Sequence, residues 1–431
     1  MTKKLGLLVL CMMLMLALTA CGGKAGSGAD NTASGTNAGG NTGGETAAEG
    51  TEELTPEPGA ELKFWTIKDG YSDYAVQEFE KKYNIKVTVE DVAYWDSVAR
   101  MSTDGPSGTG ADVFGMTNDF LGGAVNAGLV LPNDYFEEDT KAINRKLAVD
   151  ASTFEGILYG YPRSVYTYGL YVNKDLVKDA KLDTWDDVIA FSKKFNDVKN
   201  NKFGFMFDSG SFYLFSFLTG YGGYIFGSNE TDPNDIGVNN EGAVKGMTFF
   251  QSLKDILPFK LTDMTRDAKN GLWEQGKLAM NLDGSWEIGK YSKLPFQVAV
   301  IPMPAMPEGK NPVTLAGTTS YYVSAYSKYP NAAKLFANFI TSKDMQVKDN
   351  ELIGSIPAAE GISDSIRQDD VMQGFLKQID NSRMWSSLPE MQYFGQYMDP
   401  AFDAVWNGAD AKATLDKAAE GMKTSIAENK K

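Results

Sequence analysis

Asp69 and Asp119 each stand just beyond a predicted strand, at residues 62–67 and 112–116. Strand ends in an α/β sheet face the ligand crevice, so both carboxylates are placed where chemistry could occur. A glycosidase would need two such groups about 5 Å or about 6.5–9.5 Å apart, one with a raised pKa. Nothing in the sequence marks either as a protonated acid. As ionised groups they could instead accept hydrogen bonds from a polar ligand. Plainer roles stand beside these, a solvated loop acid for Asp69 and a helix N-cap for Asp119.

Other chemistries are removed by composition. The 431-residue chain contains no histidine, which eliminates Ser-His and Cys-His catalysis and His-based zinc sites. Its two cysteines are Cys11 and Cys21. Both lie at the start of the chain, so the body has no thiol for a disulfide, a metal site or a nucleophile. No cofactor or metal is expected. The formal charge is −15, and −17 once Lys3 and Lys4 are removed, which argues against a nucleic-acid partner. With 43% hydrophobic and 12% aromatic residues, the chain can build a sizeable core.

The elements that must position these groups follow from periodicity. Residues 62–67 read as an apolar strand, and Tyr74, Ala75, Phe79 and Tyr83 recur at helical spacing. Residues 85–89 then alternate with period two, and a third strand at 112–116 leads into a helix after Asp119. This is α/β construction. Thr184, followed by Asp186 and Asp187, reads as a helix start. Pro330 opens another helix, with Leu335, Phe336, Phe339 and Ile340 on its buried side. The tail from about residue 399 to 431 reads as helical.

The first sixty residues carry no core. Lys3 and Lys4 precede an apolar run at residues 5–18 that is too short to span a bilayer comfortably. It ends in Leu18-Thr19-Ala20-Cys21, which resembles the bacterial lipobox and implies that Cys21 becomes the lipidated first residue. Residues 1–20 are therefore expected to be a lipoprotein signal peptide. Residues 21–60 are expected to be a flexible polar tether, because they cannot bury enough surface to offset ordering entropy.

The body resembles the extracellular solute-binding proteins of carbohydrate ABC importers, nearest the maltose and maltodextrin binders. Several segments carry the resemblance in order: Asn84-Ile85-Lys86-Val87-Thr88-Val89-Glu90; Gly110-Ala111-Asp112-Val113-Phe114; Tyr171-Val172-Asn173-Lys174-Asp175-Leu176; Gly222-Gly223-Tyr224; and Gly276-Lys277-Leu278-Ala279-Met280 leading to Gly284-Ser285-Trp286. Pro389-Glu390-Met391 completes the set. The resemblance implies an α/β fold of the two-lobed periplasmic-binding-protein type, with discontinuous lobes and a hinged cleft. Crossings are expected near residues 164–168, 313–319 and 366–370. One lobe would then hold 61–165 and 319–367, the other 168–313 and 370–431. The implied activity is capture of an oligosaccharide and its delivery to membrane permease subunits. The protein would be a lipid-anchored monomer on the outer face of the cell membrane and not an enzyme. The same fold binding a non-sugar solute is the alternative.

A sugar offers hydroxyls at its rim and C–H groups on its faces, so it calls for polar side chains and aromatic plates. The resemblance assigns hydroxyl-binding roles to Lys68, Asp69 and Asp119, and stacking roles to Trp286 and the pair Phe212 and Tyr213. One further plate is expected among Tyr393, Phe394 and Tyr397, and Trp95 is placed at the cleft rim or in simple surface packing. Trp273 is expected in the core. Three positions depart from the maltose binder: Met116 replaces a tryptophan, Phe120 an arginine and Tyr166 a glutamate. Met116 and Tyr166 are retained as ligand candidates. Losing two charged hydroxyl partners suggests a sugar that need not be maltose.

Overall fold

The computed structural model describes residues 54–308 and 311–429. The expected signal peptide, Cys21 and most of the expected tether lie outside these residues. The tether's last stretch does not behave as one. Leu54 packs on the core, and the Glu57 carboxylate accepts from the backbone of Asn331 at 2.8 Å and of Ala332 at 3.0 Å. Residues 331 and 332 lie in the first turn of the helix Pro330–Phe339, and Glu57 thereby satisfies two of its free N–H groups.

A ten-stranded sheet organises the molecule. Its strands are β1 Glu61–Thr66, β2 Lys86–Asp91, β3 Val113–Thr117, β4 Tyr161–Asn173, β5 Phe203–Met206, β6 Leu278–Gly284, β7 Val298–Ile301, β8 Thr314–Val323, β9 Ile356–Pro357 and β10 Ser382–Met384. The hydrogen-bonded order is β2-β1-β3-β8-β4-β6-β5. β7 and β9 also pair with β4, and β10 pairs with β8. Two long strands, β4 and β8, run through the centre and belong to both halves.

Register explains where a site must form. β3 runs parallel to β1 and ends at Thr117, which lies opposite Thr319 of β8, itself opposite Ser164 of β4. β6 runs parallel to β5 and ends at Gly284, opposite Tyr168 of β4. The carboxyl ends of the strands in the two halves therefore converge, from opposite directions, on residues 164–168. Loops leaving those ends meet across the middle of β4.

Helices cover the sheet as the periodicity predicts. Gly70–Tyr83 begins at Asp69, and Trp185–Phe195 begins at Thr184 with a full capping box to Asp187. The helix expected after Asp119 is a short 3-10 turn, Asn118–Phe120, running into Leu121–Asn126. The helical tail is two helices, Gln392–Trp406 and Ala411–Asn429. One apolar core underlies β5, β6 and β7, and includes the wholly buried Trp273. Two smaller cores lie around β1 and β3, one of them holding Phe64 and Phe336, the other Trp65 and Phe114.

Candidate functional site

Tyr166 occupies the point where the strand ends converge. Its ring lies over Gly317 of β8, where any Cβ would collide with it. Asp119 lies on one side, in the turn after β3. Burial pushes its carboxyl above the usual range, against a hydrogen bond from Thr117. Asp119 in turn helps hold the Tyr166 phenol protonated, after burial itself. The turn carrying Asp119 is fixed by Asn118, whose amide donates to the Trp385 carbonyl at 2.5 Å and accepts from the backbone of Thr318 at 2.9 Å. Asp119 is not the N-cap of that turn, a position held by Thr117.

On the other side stands Trp286, two residues past the end of β6. It is 41% exposed, high for so large an apolar ring. Gly284 leaves the space its indole occupies. Trp286 meets Tyr166 edge-on at 6.0 Å, and Phe212 and Tyr213 at 6.1 Å each. Phe212 then stacks on Trp385 at 5.2 Å and 25°, and Trp385 reaches Phe394 at 6.4 Å. An aromatic run thus extends from the centre of β4 to the helix Gln392–Trp406.

Each half anchors its part with a buried ion pair. In the first, Asp69 caps the helix Gly70–Tyr83 through Ser72 at 2.7 Å, and its second oxygen faces Arg163 at 3.2 Å. Arg163 is 3% exposed and binds Asp349 through two bonds, at 2.8 and 2.9 Å. It also donates to the Tyr94 hydroxyl at 2.6 Å and the Tyr321 hydroxyl at 3.0 Å. Asp69 is therefore a held carboxylate, not the freely solvated loop acid that was one of its expected roles. In the second half, Lys269 and Asp283 meet at 2.7 Å with no exposed surface on either. Burial draws the Lys269 ammonium down, and although burial opposes charge on Asp283 too, Lys269 holds that carboxyl below the usual range. Asp283 also accepts from Tyr291 at 2.8 Å, Tyr213 at 3.4 Å and the backbone of Gly284 at 2.8 Å. It thereby ties the Tyr213 ring to the turn that carries Trp286.

The expected site residues fall into groups. Asp119, Tyr166, Phe212, Tyr213 and Trp286 come together. Phe394 joins them through Trp385 but has no exposed surface, and Tyr393 is buried. Tyr397 turns away, its hydroxyl bonded to Ser425 at 2.7 Å and its ring against Gly421 of the last helix. Met116, expected at the cleft, is fully enclosed in the core with Trp65 and Leu121, because β3 is covered on both faces. Lys68 is exposed beside Asp69, and Trp95, 62% exposed, follows Tyr94 of the Arg163 network. Trp385, Arg163 and the Lys269–Asp283 pair were not anticipated. One signal for Arg163 was available: a single cation inside the apolar run 161–173 must find buried partners.

Residues 74–374 match the model of the bacterial extracellular solute-binding protein family. Along 99% of its length the chain is 32% identical to the galactooligosaccharide-binding protein of Bacillus subtilis, covering 98% of it. It is 27% identical to the maltodextrin-binding protein of the same organism, over 84% of this chain and 85% of that one. Among solved structures, a cyclo/maltodextrin-binding protein complexed with maltotetraose superimposes with a TM-score of 0.76 at 30% identity, covering 85% of this chain and 97% of the other. A maltotriose-binding protein of Thermus thermophilus gives 0.75 at 25% identity, over 85% and 100%. The two-lobed fold follows from these matches, and so does a binding role in place of an enzymatic one. The chain belongs to the bacterial extracellular solute-binding proteins.

Proposed function

We propose that this protein captures an oligosaccharide, of the malto or galacto class, in the cleft over the middle of β4 and passes it to the permease of an ABC importer. The carrying observation is the aromatic run Tyr166, Trp286, Phe212 and Trp385 beside the carboxylate Asp119. Flat rings suit sugar faces, and fixed carboxylates suit hydroxyls. Lys68 and Trp95 flank the first-lobe end of the cleft. The lobes are proposed as 61–165 with 319–367, and 168–313 with 370–431, hinged where the chain crosses. Ligand would favour the closed form by binding it better than the open one. Attachment to the outer face of the membrane through a lipid on Cys21, and a monomeric state, belong to the same proposal.

A thermal-shift screen against malto- and galacto-oligosaccharides, with polyamines and peptides as controls, tests the reading. Binding to the native state raises the melting temperature by mass action. A shift with one glycan class is expected. A shift with non-sugar solutes alone would keep the fold and refute the sugar.

A further inference from the structure

The second lobe contains a carboxylate that its own charges leave uncompensated. β5 ends at Met206, opposite Asn281 of β6, so continuing that register brings Asp208 level with Asp283. Around Tyr213 stand two cations, Lys269 and Arg266, and three carboxylates, Asp208, Asp283 and Glu287. Lys269 pairs with Asp283, and Arg266 pairs with Glu287. Asp208 is the carboxylate left over. Among the described residues it is in no ion pair, and its one protein hydrogen bond is a long contact from the backbone of Gly210, 3.4 Å. It is half-buried and within electrostatic reach of the Tyr213 hydroxyl, whose ring meets Trp286. Burial raises its carboxyl, with Lys269 opposing, as expected where solvent has been lost without a partner gained.

A partly desolvated anion with open lone pairs calls for hydrogen-bond donors. Asp69 follows β1, Asp119 follows β3, and Asp208 follows β5, each two or three residues past the strand end. The first two serve the first lobe. We infer that Asp208 is the ligand-contacting carboxylate of the second lobe, accepting hydroxyls of the sugar that stacks on Trp286 and Tyr213. The inference rests on the oligosaccharide reading and adds a specificity-determining residue to it. A hydroxyl pointing away from Asp208 would leave the anion buried and unpaired on closure, so Asp208 discriminates between sugar epimers.

The test compares the parent, Asp208→Asn and the exposed control Asp267→Asn, titrated by calorimetry with the oligosaccharides that shift the parent in the thermal screen. Asp208→Asn is expected to bind at least tenfold more weakly and to narrow the parent's preference between epimers. Its unliganded melting temperature should equal or exceed the parent's, because a neutral amide is easier to bury there. Asp267→Asn should match the parent. Affinity and epimer preference within threefold of the parent in Asp208→Asn would overturn the inference alone. Equal losses in both variants would also overturn it, since that reports net charge and not contact. A parent that binds no oligosaccharide would sink the underlying reading and this inference with it.

Discussion

Removing the Trp286 indole should separate ligand affinity from fold stability. The ring is 41% exposed. An aromatic side chain of this size presents up to about 250 Å², so roughly 100 Å² remains for a sugar to cover. At about 25 cal/mol per Å² that area is worth about 2.5 kcal/mol, or roughly 70-fold in Kd. Trp286→Ala is therefore expected to weaken oligosaccharide binding by about two orders of magnitude once lost stacking is included. Its cost to the free protein should be smaller than the ~3–5 kcal/mol typical of deleting a buried aromatic such as Trp273 or Trp406. Trp286→Phe keeps a flat face and should recover most of the affinity. Titration calorimetry gives the Kd, and urea unfolding without ligand gives the stability. A Trp286→Ala protein that binds within threefold of the parent would show that the exposed ring is not a sugar plate. A loss of stability as large as that of a core tryptophan would show that its ring contacts matter more than its exposed face.

Three further outcomes are expected. Arg163→Met strands the Asp349 carboxylate in the interior and should lower unfolding free energy by about 3–5 kcal/mol, read from the urea midpoint. Asp119→Asn should raise the melting temperature of the free protein at neutral pH while weakening sugar binding. Burial lifts the folded-state pKa of Asp119 above its unfolded value, so the stability it lends is present below the unfolded pKa and is lost as pH rises through the folded one. A melting profile from pH 3 to 8 should show the gap between parent and variant opening upward in pH, and a gap that opens downward would refute the assignment. Glu57→Ala removes two backbone hydrogen bonds at the start of Pro330–Phe339 and should cost about 1–2 kcal/mol, with sugar affinity unchanged.

Much of the scaffold was legible because its signals are local. Period-two and helical spacing located β1, β2, β3 and the helix at Gly70 within a residue or two, and Thr184 and Pro330 marked helix starts that the structure reproduces. The candidate site was legible only as a set of positions. Trp286 and Asp119 stand where strand ends meet, but Met116 occupies an enclosed strand and Tyr397 turns to Ser425. Whether a ring faces a cleft or a core depends on which elements lie over it, and no local pattern carries that.

The residues that escaped sequence reading share a physical cause. Arg163 finds Asp349 across 186 positions, and Asn118 finds the Trp385 carbonyl across 267. Lys269 and Asp283 are only 14 apart, yet a lysine at the fourth position of the helix Arg266–Glu274 looks in sequence like any solvated lysine. Such groups become informative only once desolvation is known, because an ion pair has structural weight in proportion to the water it has lost. Both buried pairs reach into loops that leave strand ends. Arg163 holds Asp69 after β1, and Asp283 holds Gly284 before Trp286. The two halves of this molecule thus fix these strand-end loops by the same device, a buried charge pair one of whose members makes a further bond to the loop. Under the proposed sugar-capture role, loops held in this way need not reorganise when ligand binds, which keeps the entropy of ordering out of the binding step.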